Sequence, residues 1–402
     1  MVKVSPLIDI SSSKFIDNPY PAYQQLRATG SPTWVSHQAR SGTPGLWLFS
    51  RYSDVATILR EKNNISKDVS RIVAVDELTA FDRMLLNMDP PQHTRLRAIV
   101  APLFSAGQTR IFESKINTIV KNLLSSIFPG DEVDFMAEFA IPLPILVVSD
   151  ILGVPSQDML QMKSWASDLL AGFDSSLADE VTLKHQQKSL SAMTHYLTRL
   201  VELDPAGRNG LIAHLNQLRQ DNGAPTKVEI LSLSMLIVLA GFETTVNLLG
   251  NGLYTLLKNP GQLDLLREEP DLIEKAIDEM LRFESPLQRT TFRVAARDFS
   301  IGGFKIEKGQ QIATVIGAAN RDSEQFSGPE KFDIRRNPNR HLAFGLGIHK
   351  CLGERLARAE ARIAFCRLLE AFPKIRLCSD KADWQQKTLF RGLKTLAVQF
   401  DY

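Results

Sequence analysis

The residues most able to do chemistry form one short stretch, Phe344-Gly345-Leu346-Gly347-Ile348-His349-Lys350-Cys351-Leu352-Gly353-Glu354-Arg355. Its cysteine lies between glycines, and a strongly helical run begins immediately afterwards. A thiolate needs help to stay ionised, and the free N–H groups and positive dipole end of a helix starting near residue 353 would supply it. Gly345, Gly347 and Gly353 would let a flat cofactor and the backbone approach closely. The plainer alternative is a buried cysteine that packs as a small hydrophobe before a helix. A second stretch, Ala240-Gly241-Phe242-Glu243-Thr244-Thr245, places a carboxylate and two hydroxyls inside an otherwise apolar run. A buried carboxylate is expensive unless paired or wetted, while Thr244 can simply bond back to the carbonyl of Ala240.

Three further groups carry charge at telling positions. His93 and Arg97 are four apart on a helix opened by Asp89-Pro90-Pro91, so they share a face. Glu279 and Arg282 are three apart in Ile277-Asp278-Glu279-Met280-Leu281-Arg282, a spacing most often seen in surface ion pairs. Arg355, Arg358 and Arg362 fall on one face of the helix after Cys351, either as ordinary solvated charge or as a basic docking patch.

The elements that must position these groups are mostly helices. Thr226-Lys227-Val228-Glu229 has capping-box spacing, and no proline follows until Pro260. The spacing predicts a single helix of about 32 residues, roughly 48 Å long, apolar all round at its centre and therefore buried. Residues 109 to 203 are also helical in pattern, and 204–210 and 221–225 read as turn-rich connectors. Strand patterns occur at Gly45 to Phe49 and from Thr290 to Ile316, and Leu389 to Val398 reads as a hairpin. The expectation is a mainly α chain with a minor β lobe, residues 1–402 forming one domain whose lobe comes from the N-terminal and 290–316 segments.

Composition narrows the classes. Of the 402 residues, 44% are hydrophobic and 23% charged, so the chain can bury a sizeable core. A net charge of +2 gives no reason to expect nucleic acid. The three cysteines, Cys351, Cys366 and Cys378, form no CxxC pair, which argues against a disulfide framework and for a reducing compartment. The N-terminus lacks an apolar core of signal-peptide length. A cytoplasmic monomer without a membrane anchor is expected.

The pattern Phe-Gly-x-Gly-x-His-x-Cys-x-Gly resembles the haem-binding signature of the cytochrome P450 family, and other family elements follow in family order from about Asn18 to Val398. The resemblance implies the cytochrome P450 fold, haem b, and Cys351 as proximal thiolate ligand to the iron. It implies His93, Arg97, Arg293 and His349 as contacts to the haem propionates, and Ala240, Gly241, Phe344, Gly345 and Gly353 around the macrocycle. Glu243 becomes the proton carrier to iron-bound dioxygen, and Thr244 the hydroxyl that assists. Glu279 and Arg282 become the structural ExxR element, with Arg336 as third member; the family's nearby arginine element reads Pro329-Glu330-Lys331-Phe332, with lysine in its place.

By the same resemblance the activity is monooxygenation of a lipophilic small molecule, fatty acyl, polyketide or steroid-like, by hydroxylation or epoxidation. The substrate wall falls at Ile72, Val73, Leu239, Leu287, Gln288, Thr291 and Phe390; Arg71 or Arg289 could anchor a substrate carboxylate, although each reads more simply as a surface arginine. Electrons would come from a separate ferredoxin or flavodoxin-type protein docked near Arg355, Arg358 and Arg362. The alternatives are a peroxide-driven fatty-acid oxidase or decarboxylase and a non-catalytic haem sensor; such peroxide-driven relatives commonly lack the acid and alcohol present here.

Overall fold

The computed structural model describes residues 12–36, 45–173, 180–203, 210–218 and 224–401. The connectors expected at 204–210 and 221–225 lie largely outside the described residues. Helices make up most of the chain, as expected, and enclose one large apolar core.

Thr226 caps the central helix through the expected box: its hydroxyl accepts from the Glu229 N–H, and the Glu229 carboxylate accepts from the Thr226 N–H at 2.8 Å. The predicted single helix is instead two, Lys227–Gly241 and Glu243–Lys258, broken at Phe242 with φ −111°. Two features explain the break. Thr244 donates its hydroxyl to the Ala240 carbonyl at 3.2 Å, a back-bond that bends helices, and Gly241 adds backbone freedom at the same turn. By length and composition the run Lys227–Lys258 would suffice to cross a membrane, yet more than half of its most apolar window is buried inside the fold.

The β lobe centres on a five-stranded sheet in the order Thr33–Ser36, Gly45–Phe49, Gln311–Thr314, Arg293–Ala295 and Ile65–Ser66. Trp47 pairs in register with Ile312, which also pairs with Arg293 from its other side. A second apolar cluster, including Phe49, Val55, Ile58 and Ile312, packs beneath it. The register places Arg293 on a strand inside the sheet, between Gln311–Thr314 and Ile65–Ser66, where it is buried.

The C-terminal stretch does not fold on itself. Leu393–Thr395 pairs with Asp383–Trp384, whereas Ala397–Asp401 pairs with both Glu132–Asp134 and Lys374–Leu377. The segment before them is already committed elsewhere: the Leu389 carbonyl accepts from Gln288 N–H at 2.8 Å, and Arg391 binds Glu284 at 2.6 Å and the carbonyls of Ile16 and Asp17.

Glu279 and Arg282 are wholly buried, not a surface pair. The Glu279 carboxylate accepts from Arg282 at 2.7 and 2.8 Å, from Arg336 at 3.1 and 3.2 Å, from the Asn339 amide and from the Asp333 N–H. Both arginines also donate to the Lys331 carbonyl, so position 331 serves through its backbone and the lysine there changes nothing in this contact. Glu279→Gln would leave buried Arg282 without its counter-charge, and an expected loss of about 3–5 kcal/mol is measurable by urea unfolding.

Glu360, on the Glu354–Ala371 helix, is 1% exposed with Oε2 unpartnered, and burial pushes its carboxyl from 4.5 up to about 8. A raised acid pKa means the neutral form is favoured in the fold, so its contribution is full below the unfolded value and lost as pH rises through about 8. Glu360→Gln cannot ionise. Its melting temperature relative to the parent is therefore expected to climb between pH 5 and 8, and a constant difference would show that Glu360 is ionised in the fold.

Candidate functional site

Cys351 sits between a short turn, Gly347–His349, and the Glu354–Ala371 helix. Its N–H donates to the Phe344 carbonyl at 2.8 Å, and the Gly353 N–H bonds its sulfur. The loop is shaped by left-handed glycines: Gly345 has φ +66° and Gly347 φ +73°, and a Cβ at Gly347 would meet the Leu59 carbonyl at 2.4 Å. The side chain is exposed, yet its surroundings are dense enough that burial pushes the thiol up to about 11, with Glu354 adding to the rise. Gly353, Arg97 and Lys350 oppose that shift without overcoming it. Such a thiol lines an interior recess, and a bound metal ion is the agent that would deprotonate it. The Phe344 ring lies beneath Arg358, 5.0 Å from the guanidinium carbon.

The positive groups converge on this recess. His93 and Arg97 come from the Gln92–Val100 helix, Arg293 from the sheet and His349 from the cysteine loop. The rings of His93 and His349 are 4.4 Å apart, and Arg97 donates to the Lys350 carbonyl at 2.7 Å. Burial drives the His349 pKa far down, and Lys67, His93, Arg293 and Arg97 all deepen the shift. Arg293 is lowered to about 10 by burial, and it donates to the Thr290 hydroxyl at 2.9 Å. Both ring nitrogens of His93 and Nε2 of His349 are buried without partners.

Lys67 is the member that sequence reasoning missed. It is 3% exposed, donates to the Thr291 hydroxyl at 2.6 Å and the Phe292 carbonyl, and is held well below its ordinary pKa by burial and Arg293, against the pull of Asp89. No local signal marked it, because its meaning arises only when the sheet brings it beside Arg293.

Cations crowded together with unpartnered nitrogens call for an anionic partner bearing several oxygens. A cofactor with two carboxylates and a metal that accepts thiolate fits this donor set. Haem b has both.

On the helix face at the break, Ala240 is exposed and Thr244 half-buried, although Leu239 and Phe242 on either side are buried. A Cβ at Gly241 would meet Val148 at 2.8 Å, so this glycine makes room for the neighbouring Pro142–Leu152 helix. Glu243 is 5% exposed and its carboxylate accepts from Lys387 Nζ at 2.7 Å, so the acid is engaged by an ion pair on the C-terminal segment.

Among the expected pocket residues, Ile72 and Val73 are half-buried, Leu239 is packed in the core, and Leu287 bridges to Phe390. Thr291 receives Lys67. Gln288 points elsewhere: its amide donates to the Ser285 carbonyl at 2.7 Å, and its Oε1 lies where a side chain on Gly317 would be. Arg71 is exposed, and Arg289 is half-buried beside Val315. Of the three arginines after Cys351, Arg358 is paired with Asp278 and Glu354, and Arg362 with Glu113 and Glu274. Arg355 is the exposed member of the trio and has no ion pair among the described residues.

A family model described as Cytochrome P450 matches residues 173–396. Cytochrome P450 107B1 of Saccharopolyspora erythraea is 38% identical over 370 residues, covering 88% of this chain and 89% of that one. Among solved structures, myxobacterial cytochrome P450 CYP267B1 in complex with myristic acid superposes with a TM-score of 0.91 at 32% identity, covering 98% and 99% of the two chains. P450BioI in complex with a hexadec-9Z-enoic acid ligated acyl carrier protein gives 0.88 at 34% identity, covering 97% and 99%. With the thiol loop, the cation cluster and these likenesses in agreement, the chain belongs to the cytochrome P450 family, the haem b-binding, thiolate-ligated monooxygenases.

Proposed function

We propose that this protein inserts one oxygen atom of dioxygen into a lipophilic small molecule, fatty acyl, polyketide or steroid-like, by hydroxylation or epoxidation. The observation that carries the reading is the convergence of His93, Arg97, Arg293, His349 and Lys67 beside Cys351, with no carboxylate among the described residues balancing Arg293 and His349. In this reading Cys351 ligates the iron and the five basic groups hold the two propionates. Bound haem supplies the activation of dioxygen. For hydroxylation the balance is substrate C–H, dioxygen, two electrons and two protons giving C–OH and water.

The chain's own residues bind, orient and deliver protons. Thr244 presents its hydroxyl oxygen on the open helix face while its proton is committed to Ala240. Glu243 carries protons toward that face once its bond to Lys387 loosens. Ile72, Val73, Leu287 and Phe390 wall an apolar pocket, which suits the fatty-acid and acyl-carrier ligands bound by the two structural relatives. Electrons come from a ferredoxin or flavodoxin-type protein that docks around exposed Arg355, joined by exposed Arg60 and Arg340, which both act on the Tyr52 phenol. We place the protein in the cytoplasm as a monomer.

The reduced, carbon-monoxide-bound protein is expected to show the red-shifted Soret band of thiolate ligation, and Cys351→Ser to lose it; an unchanged band in the folded variant would refute ligation by Cys351. Thr244→Ala is expected to lower product formed per electron by about tenfold or more with the Soret band intact. Unchanged coupling would favour a peroxide-driven oxidase or a haem sensor, which need neither group. A spin-state titration with fatty acids, steroids and macrolides should give shifts for at least one class, whereas shifts with small polar molecules alone would sink the apolar pocket.

A further inference from the structure

The segment between Ser66 and Asp89 is a loop with a tied neck. Asp89 accepts from the Ser66 hydroxyl and, 22 residues away in the chain, from the Lys67 N–H at 2.9 Å. The Ser66 hydroxyl in turn accepts from the Asp68 N–H, and Asp68 caps the turn Val69–Arg71 through the Ser70 N–H at 3.0 Å. Ile72 and Val73 follow that turn directly, and their N–H groups both bond the Val69 carbonyl at 3.0 Å. Two residues of the proposed pocket wall are therefore held from the neck outward.

Both ends of the loop run into the cation cluster. Asp89 leads to the helix that carries His93 and Arg97, and its carbonyl accepts from the His93 N–H at 3.0 Å. At the other end, Ile65 and Ser66 pair antiparallel with Ala295 and Val294, so the register carries Lys67 opposite Arg293. Like charges directly opposed on neighbouring strands are destabilising, and this pair is buried, Lys67 at 3% exposure and Arg293 at 6%. The Lys67 ammonium has three donors. One goes to the Thr291 hydroxyl at 2.6 Å and one to the Phe292 carbonyl at 2.8 Å, both neutral acceptors, and the Phe292 ring centre lies 4.8 Å away. Asp89 attracts the ammonium, yet its carboxylate oxygens already bond Ser66 and the Lys67 backbone. Among the described residues the third donor has no acceptor. A buried cation that faces a second cation and has a donor to spare calls for an anion.

We propose that Lys67 is a positioning residue through which the bound cofactor sets the pocket wall. One carboxylate oxygen of the cofactor takes the third donor; the charged ammonium then grips Thr291 and Phe292, and the neck it shares with Asp89 fixes the turn before Ile72 and Val73. The inference rests on the reading of the five basic groups as propionate holders and of Ile72 and Val73 as pocket wall. Cofactor and wall are thereby coupled. A charged donor bonds about twice as strongly as a neutral one, and burial and Arg293 work against the charged form of Lys67 until an anion stands beside it. Such coupling is reciprocal, so a ligand that needs the wall in place also favours the bound cofactor.

Lys67→Met keeps the length of the side chain and removes its charge. In the haem-loaded variant, with the thiolate Soret band retained, hydrogen exchange across residues 68–78 is expected to quicken about tenfold, while the Glu354–Ala371 helix exchanges at the parent rate. The dissociation constant of the fatty acid, steroid or macrolide that binds tightest should rise about fivefold. Haem transfer to apomyoglobin should be about tenfold faster. That ligand is expected to slow the transfer about fivefold in the parent and far less in the variant. Thr291→Val, which keeps the charge and removes one acceptor, should move exchange and dissociation constant in the same direction, and it decides the matter if Lys67→Met fails to fold. Faster haem loss with parent exchange, parent ligand affinity and parent protection by the ligand would leave Lys67 a propionate contact and overturn the coupling. Parent values in every measurement would remove Lys67 from the cation group as well, and a parent chain without the thiolate Soret band would end the haem reading beneath both.

Discussion

The Glu279 carboxylate is the interaction on which the cysteine loop depends. It lies at zero exposure and is bonded by two arginines, an asparagine and the Asp333 N–H. Arg282 extends the network to the Asn320 carbonyl at 3.0 Å, and the Asn320 side chain accepts from the Leu342 N–H at 2.7 Å. Leu342 then accepts from Gly345, and Phe344 from Cys351. A continuous hydrogen-bonded path therefore runs from the end of the Ile273–Phe283 helix to the sulfur-bearing residue. The neighbouring Asp278 holds the other side of the loop through His341 and Arg358. Buried charge is justified here less by net stability than by the single geometry that satisfies so many donors at once.

Charge balance constrains the opposite side of the recess. The ExxR cluster carries its own carboxylate, whereas Arg293 and His349 meet only other cations and neutral donors among the described residues. Desolvation depresses both, and mutual repulsion deepens the effect on His349. The fold thus stores an electrostatic demand that a dianionic cofactor meets. Binding would also relieve the cost of His93, whose two ring nitrogens have no protein partner.

What was legible in the sequence was what spacing encodes. Cys351 among its glycines, the i, i+4 pair His93 and Arg97, the i, i+3 pair Glu279 and Arg282, and the capping box at Thr226 are local relations, and each element formed where local geometry put it. Errors arose where a residue's neighbours come from elsewhere in the chain. Arg358 and Arg362 looked solvated because Asp278, Glu113 and Glu274 lie on other helices. The C-terminal hairpin failed for the same reason: its strands found earlier edges, at Glu132–Asp134 and Lys374–Leu377. Lys67 escaped notice because a lone lysine on a loop has no pattern.

The central helix shows how one element reconciles burial with chemistry. Its first half is apolar and packs all round, which anchors it against its neighbours. The break at Phe242 then changes which side chains face the core, so Ala240 and Thr244 front open space while Glu243 turns to Lys387. After the break, polar residues recur at the helical period on a buried face. A straight, uniformly apolar helix would pack better and cost less desolvation. The observed helix gives up that packing at one turn and along one stripe, and both departures sit beside Glu243 and Thr244, the carboxylate and hydroxyl that interrupt its apolar run.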